Sequence, residues 1–320
     1  MRENPVRKGA AWVAAKSRFV FMVPEGMERL AEDLLPLPDP VWVERYHFRG
    51  EEELTLRYLL VLDALNFCFW PPAGFPHRPA QERWMVLGPE GERLTGYYAL
   101  SFALRRLALE SPGFFVPEHL AAVTEGEVAE VLGQIPLPFW RAMALREVGQ
   151  ALLRFGSAQN FFAQAQGSAK RLVELLTAHL PMFRDAALYD GRWIPFYKRA
   201  QILVADLWGT FEGKGPGAFR DLSWLTAFAD YKLPQILWAS GVLRVHPRLA
   251  ERIKKGEIIP WGSPSEVEIR ALTVVAVEKL VEKLREKGRE VLPFQVDWLL
   301  WNLAQRGLGV PHHRTLTWAY

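Results

Sequence analysis

With 320 residues, 50% of them hydrophobic and 23% charged, the chain has enough apolar mass to bury a sizeable core and reads as a globular, soluble protein. Lys and Arg outnumber Asp and Glu by only 39 to 36, so the net charge of +3 argues against an obligate polyanion binder while leaving a small phosphorylated ligand open. The single cysteine, Cys68, excludes an internal disulfide framework and fits a reducing cytoplasm; in its apolar run it reads as a buried thiol and not a nucleophile.

The opening MRENPVRKGAAWVAAK lacks the apolar core of a secretory signal, and no uncharged stretch reaches roughly 18 residues, so no membrane span is expected. Helices are expected over residues 6–16 and 26–34, followed by a Pro-rich LPLPDP and a short extended piece, VWVERYHF. His47 in that piece, alone between Tyr46 and Phe48, reads first as structural. An apolar helix over 51–69 should stop at Pro71 and Pro72, and Asn66 near its end needs a partner if buried. Residues 83–96, with Pro89-Glu90-Gly91 as the turn, predict a β-hairpin, the one small sheet element in an otherwise helical pattern. Helix returns over 97–110.

Thr124 with Glu127 opens a short helix to Gly133, and Pro138 begins another to Phe155, whose Trp140, Met143, Ala144, Val148, Ala151, Leu152 and Phe155 form one core-facing stripe. Further helices are expected over 168–180 and, after an Asp190-Gly191-Arg192 turn, over 196–209. There Asp206 lies among apolar neighbours, with Lys198 or Arg199 as its expected ion partner. GTFEGKGPG (209–217) lacks the ending of a phosphate-binding loop and reads as a plain loop. Ser263-Pro264-Ser265-Glu266 is the clearest helix start in the chain, opening a long helix to about Lys287, and a last helix over 293–306 carries Asp297 inside VDWLLW.

Metal-binding, dinucleotide-binding and serine-hydrolase motifs are all missing, so neither metal nor cofactor is expected. What the chain offers instead is three acids in aromatic surroundings, Asp206, Asp230 and Asp297, of which Asp230 sits between Phe228, Tyr231 and Lys232. A single acid of this kind is usually a cap or ion-pair partner; three favour a functional cleft. Residues 233–256 also read as a helix, a Gly241-Val242 turn and a second helix, similar to a helix-hairpin-helix but without the full Gly-x-Gly that offers amides to phosphate.

Phe228-Ala-Asp-Tyr-Lys-Leu-Pro-Gln235, together with Asn66-Phe-Cys-Phe-Trp-Pro71, Phe196-Tyr-Lys-Arg-Ala-Gln201, Val296-Asp-Trp-Leu-Leu-Trp301 and the terminal His313-Arg-Thr, resembles the queuosine salvage protein family over nearly the whole chain. The resemblance implies a mainly α, DNA-glycosylase-like helical fold with a helix-hairpin-helix-like element. It also implies a cytoplasmic N-glycosidase that hydrolyses queuosine 5′-monophosphate and releases queuine for tRNA modification. One compact unit over residues 1–320 is expected, or two closely packed helical subdomains with a cleft between them. The partner would be a small molecule, with no stable nucleic acid complex and no membrane.

Under that resemblance Asp230 and Asp297 are the catalytic candidates, since a carboxylate beside C1′ stabilises an oxocarbenium-like state. One acid could instead read the N1 and N2 donors of a guanine-like edge, and the sequence leaves the division of labour open. Phe67, Trp70, Phe228, Tyr231 and Trp298 are candidate stacking surfaces, and His47 and Asn66 candidate contacts to ligand hydroxyls or ring atoms. Lys198, Arg199, Lys232 and Arg314 are the cations available to a 5′-phosphate. The rivals are a non-catalytic helical module for a modified base or tRNA and a DNA base-excision glycosylase.

Overall fold

The computed structural model describes residues 4–70, 84–133 and 135–320. In chain order the helices are α1 (Pro5–Ala14), α2 (Pro24–Leu34), α3 (Glu52–Leu65), α4 (Gly96–Glu110), α5 (Pro117–Ala122), α6 (Glu125–Val131) and α7 (Pro138–Phe155). They continue with α8 (Ala158–Ala163), α9 (Ala169–His179), α10 (Lys198–Thr210), α11 (Lys232–Ala239), α12 (Pro247–Lys254), α13 (Pro264–Glu286) and α14 (Pro293–Leu303). Seven of these begin on proline, whose fixed φ and missing N–H suit a first helical turn. At α13 the Ser263 hydroxyl accepts the Glu266 amide at 3.4 Å while the Glu266 carboxylate reaches back to the Gly262 amide at 3.0 Å, so the start read from sequence is the start observed. No helix among the described residues is long and apolar enough to cross a membrane.

The mainly helical reading holds, but the expectation of one hairpin does not: three two-stranded antiparallel sheets are present among the described residues. The expected one pairs β2 (Met85–Leu87) with β3 (Arg93–Thr95); Arg83, where the reading began it, lies outside the described residues. A second pairs β4 (Ala186–Tyr189) with β5 (Arg192–Pro195) through Asp190 and Gly191, both left-handed at φ 49° and 78°. That is the geometry a two-residue hairpin turn demands, and the four-residue flanks were too short to announce themselves as strands. The third joins β1 (Val20–Met22) to β6 (Leu243–Val245), a pairing no local pattern can show.

β6 also corrects the helix-hairpin-helix-like segment. Between α11 and α12 the chain forms a strand, and its amides are already committed: Val242 donates to Leu237 and His246 to Phe19. Gly241 is left-handed at φ 71° and packs so tightly on α2 that a Cβ at Gly26 would lie 2.0 Å from its carbonyl oxygen. This connection is a packing joint of the fold.

Among the described residues four apolar clusters form the interior, the smallest being Leu94, Ala99 and Phe102. The largest gathers α3, α4, α7, α8, α9 and α10; the second gathers α2, α11, α12, α13 and α14; the third packs α1 and the β4–β5 hairpin on α13. Helix α14 straddles the first two, with Phe294 in one and Val296, Leu299 and Leu300 in the other. Along α7, Ala144, Val148, Ala151 and Leu152 are buried as the stripe predicts, whereas Trp140 is among the exposed large apolar side chains.

Helix α3 stops at Leu65, short of Phe69, and Pro71 and Pro72, which were expected to end it, lie outside the described residues. The end is instead built by three cations from other elements. Arg199 donates to the carbonyls of Asp63 and Ala64, Arg141 to those of Leu65, Phe67 and Cys68, and Lys198 Nζ to that of Asn66 at 3.1 Å. The last carbonyls of a helix lack intrahelical donors and carry partial negative charge, so buried guanidinium and ammonium groups both satisfy and neutralise them.

Candidate active site

The cation-capped end of α3 faces a cleft of about 1380 Å³, open mouth included. Its walls come from the 41–47 segment, the end of α3, the start of α4, α10, the 228–232 segment, α14 and the C-terminal residues 312–320. Of the sequence candidates, His47, Asn66, Trp70, Lys198, Asp206, Phe228, Asp230, Tyr231, Lys232, Asp297, Trp298 and Arg314 all line it. Two do not. Phe67 is fully buried behind the wall, its ring 4.4 Å from the Arg141 guanidinium and 5.1 Å from that of Arg199. Arg199 is spent on backbone carbonyls, the Met182 carbonyl among them, so its charge serves the fold and not a ligand.

Asp230 is held by the helix that follows it. Its Oδ1 accepts the amides of Lys232 at 2.7 Å and Leu233 at 3.0 Å, which makes it the cap of α11 and fixes the carboxylate against the cleft. Asp297 Oδ2 accepts the Phe228 amide at 2.7 Å, tying the irregular 225–231 stretch to α14. From the other side Gln201 Oε1 accepts the Thr226 amide at 2.8 Å.

Burial pushes both carboxyls up, and their surroundings separate them. Against that rise Asp230 has the buried Lys198 ammonium and two amide donors. Asp297 is driven well above the ordinary range, first by burial and then by the charge of Asp230, with the Phe228 amide and the Lys198 charge in opposition. Both carboxyls are raised, Asp297 the further, so Asp230 is the more readily ionised of the two. Burial in turn lowers Lys198 to about 8, with Asp230 and Asp63 working against the drop.

The position of Lys198 is set by a second, fully buried ion pair that sequence reading missed. Arg270 of α13 makes a two-pronged contact with Asp185, 2.8 Å to Oδ1 and 2.5 Å to Oδ2, and donates through Nε to the Ala229 carbonyl at 2.9 Å. Asp185 Oδ2 accepts the Lys198 amide at 3.1 Å, and its carbonyl accepts those of Phe196 and Tyr197. Tyr197, left-handed at φ 50°, is thereby held as the entry to α10. One guanidinium, sandwiched between the rings of Phe196 and Tyr320 at 4.0 and 4.2 Å, so anchors both the residue before Asp230 and the backbone of Lys198.

The family model described as queuosine salvage protein matches residues 46–320, which include both acids, Lys198 and Arg270. The chain belongs to the queuosine salvage protein family. A relative from Sphaerobacter thermophilus, named queuosine 5′-phosphate N-glycosylase/hydrolase, is 44% identical over 88% of this chain and 86% of its own. Proteins of the same name from Dictyostelium discoideum and Bos taurus are each 36% identical, over 98% and 97% of this chain and 98% and 96% of theirs.

The cleft of this queuosine salvage family member holds groups that sequence reading did not single out: Trp42, Tyr97, Tyr98, Trp301 and His312. An aromatic corner forms where Trp70 meets Tyr231 edge-on at 4.4 Å and both approach the His312 ring, at 5.3 and 4.6 Å. Asp206 also finds different partners from those expected. Its Oδ2 lies 2.6 Å from the Tyr97 hydroxyl and its Oδ1 accepts from Trp42 Nε1 at 3.1 Å, with Lys198 acting only through its charge. The one sequence signal for Arg270 was a charge inside the apolar run of α13. Tyr97 and Trp42 carried none.

Proposed function

We propose that the chain hydrolyses the N-glycosidic bond of queuosine 5′-monophosphate, taking up water and releasing queuine and ribose 5-phosphate. The observation that carries this is the unequal acid pair, Asp230 and Asp297, in an aromatic-walled cleft of a chain whose relatives bear that activity in their names. Asp230, kept ionised by Lys198, faces the positive charge that develops at C1′ as the base departs. A deazaguanine base has no N7 to protonate, so its departure depends on contacts to its other polar edges. Asp297 serves that end, accepting from the N1 and N2 donors of the base, which favour its ionised form and release its proton as the ligand binds.

Phe228, Tyr231, Trp70 and Trp298 supply the apolar faces between which a planar base is held, each worth roughly 1–3 kcal/mol where it covers the ring. Lys232 and Arg314, on walls of the same cleft, are the cations we assign to the 5′-phosphate. In this reading the substrate is a free nucleotide in the cytoplasm and no stable nucleic acid complex is involved. A DNA-glycosylase-like ancestry of the helical fold belongs to the same reading.

The test is incubation with queuosine 5′-monophosphate, the unphosphorylated nucleoside and GMP, with free base measured by chromatography. Release from the first, with weaker release from the second and none from GMP, is expected. No release from any of the three sinks the assignment.

A further inference from the structure

His47, Tyr97 and Asp206 form a closed hydrogen-bonded chain on one wall of the cleft, and its proton count is fixed by chemistry. His47 Nδ1 lies 2.6 Å from the Val43 carbonyl oxygen, which can only accept, so Nδ1 carries a proton. Nε2 lies 2.8 Å from the Tyr97 hydroxyl, and that hydroxyl lies 2.6 Å from Asp206 Oδ2. The hydroxyl has one proton for two neighbours. If it donates to an ionised Asp206, then Nε2 must itself be protonated and His47 is a buried cation. If His47 is neutral, Tyr97 donates to Nε2, and Asp206 must donate a proton of its own to Tyr97. Every contact in the chain is made only when the three residues hold one shared proton beyond neutral His47 and ionised Asp206.

We propose that Asp206 is a protonated positioning residue which, through Tyr97, locks His47 as a neutral imidazole with its ring held against the cleft, and is not a third catalytic carboxylate. The His47 ring also packs on Trp42 at 4.2 Å between centroids, and Trp42 donates to the second oxygen of Asp206, so the lock has two arms. Burial lowers His47 to about 4 and raises Asp206 to about 6, so between those values the added proton sits on Asp206 and the ion pair that is the alternative is disfavoured. The charged and titratable groups facing the chain are Asp63 and Tyr58 from α3, Lys198 from α10 and Arg105 from α4. Lys198 favours the charged form of Asp206, the charge of Asp206 in turn raises Asp63, and Arg105 adds to the cost of a cationic His47. The value of the lock to catalysis rests on the proposed glycoside hydrolysis; the protonation state does not.

Histidine ¹⁵N NMR on the full chain, with the His47 signals assigned through a His47→Gln variant, reads the state directly. At pH 5, between the two values, His47 is expected as the neutral Nδ1–H tautomer with a hydrogen-bonded Nε2, and Asp206→Asn is expected to keep that signature, since an amide donates to Tyr97 and accepts from Trp42 as a protonated acid does. As pH rises and the shared proton is lost to solvent, Tyr97 turns to Asp206 and the wild-type Nε2 signal shifts, whereas Asp206→Asn shows no such transition. An imidazolium at pH 5 in the wild type, or its loss in Asp206→Asn, overturns the proposal. With queuosine 5′-monophosphate, Tyr97→Phe is expected to raise KM about tenfold, with kcat changed less, because a freed ring costs ligand positioning and leaves Asp230 in place. Unchanged KM overturns the positioning role. Absence of turnover in the wild type overturns the function reading and leaves the NMR result to stand or fall alone.

Discussion

Asp230 and Asp297 are chemically the same residue made different by what surrounds them. The Lys198 ammonium acts on both, but Asp230 has two amides beside it, while Asp297 has a single amide and a negative neighbour. Replacing Asp230 by Asn keeps an acceptor for the α11 amides and removes the charge, so turnover of queuosine 5′-monophosphate is expected to fall by ~10²–10³ with thermal melting little altered. A fall of less than tenfold would remove Asp230 from the chemistry. Lys198 sets an upper pH limit: below about 8 its ammonium keeps Asp230 ionised, and as pH rises through that value the rate should decline. The sign for stability is the reverse. Because the folded value lies below the usual 10.5, the unfolded chain binds more protons between the two, so raising pH through that window adds stability through this group. Rate profiles paired with melting curves at pH 7 and 9 separate the two, and a parallel loss of fold would defeat the assignment. At this scale the sequence showed the acids and their aromatic neighbours, but not that Arg199 spends its charge on carbonyls or that Asp206 answers to Tyr97, because neither partner is near in sequence.

Helix ends are where the elements of this protein are bound to one another. Asp221 accepts the Ala169 amide and the Ser168 hydroxyl at the start of α9, Glu53 accepts the Ala158 and Gln159 amides at the start of α8, and Glu268 accepts three amides at residues 18–20 ahead of and into β1. The first two are helix caps and the third a strand anchor, each supplied from a distant stretch of chain, which satisfies orphan amides and welds two elements at once. The end of α3 is the counterpart with the signs exchanged. Arg141→Met should leave the Leu65, Phe67 and Cys68 carbonyls buried without their donor, costing ~3 kcal/mol or more by urea denaturation. A cost under ~1 kcal/mol would mean the α3 end relaxes onto other donors. Local signals such as Ser263 ahead of Pro264 were legible because cap and helix share a few residues; these long-range caps were not, because the donor and acceptor meet only in the fold.

Across the whole molecule Arg270 joins the parts that the site depends on, linking α13 to the entry of α10 through Asp185 and to the 228–231 stretch through Ala229. Arg270→Met should destabilise the protein by ~3–5 kcal/mol, since Asp185 is left as an unpaired buried charge. Adding Asp185→Leu should recover much of that stability without recovering turnover, because the backbone of Lys198 and the approach to Asp230 stay unanchored. If turnover returned with stability, Arg270 would be structural alone. The sequence by itself determined the helical class, most helix positions, the family and the setting of the acids among aromatic residues, since periodicity, caps and motif wording are local properties of the chain. Only the tertiary structure decided the rest. Asp230 is again the instance: the sequence set it among aromatics beside Lys232, but its ionisation depends on Lys198, more than thirty residues away. A pKa is set by distance through a low-dielectric interior, and that distance does not exist until the chain has folded.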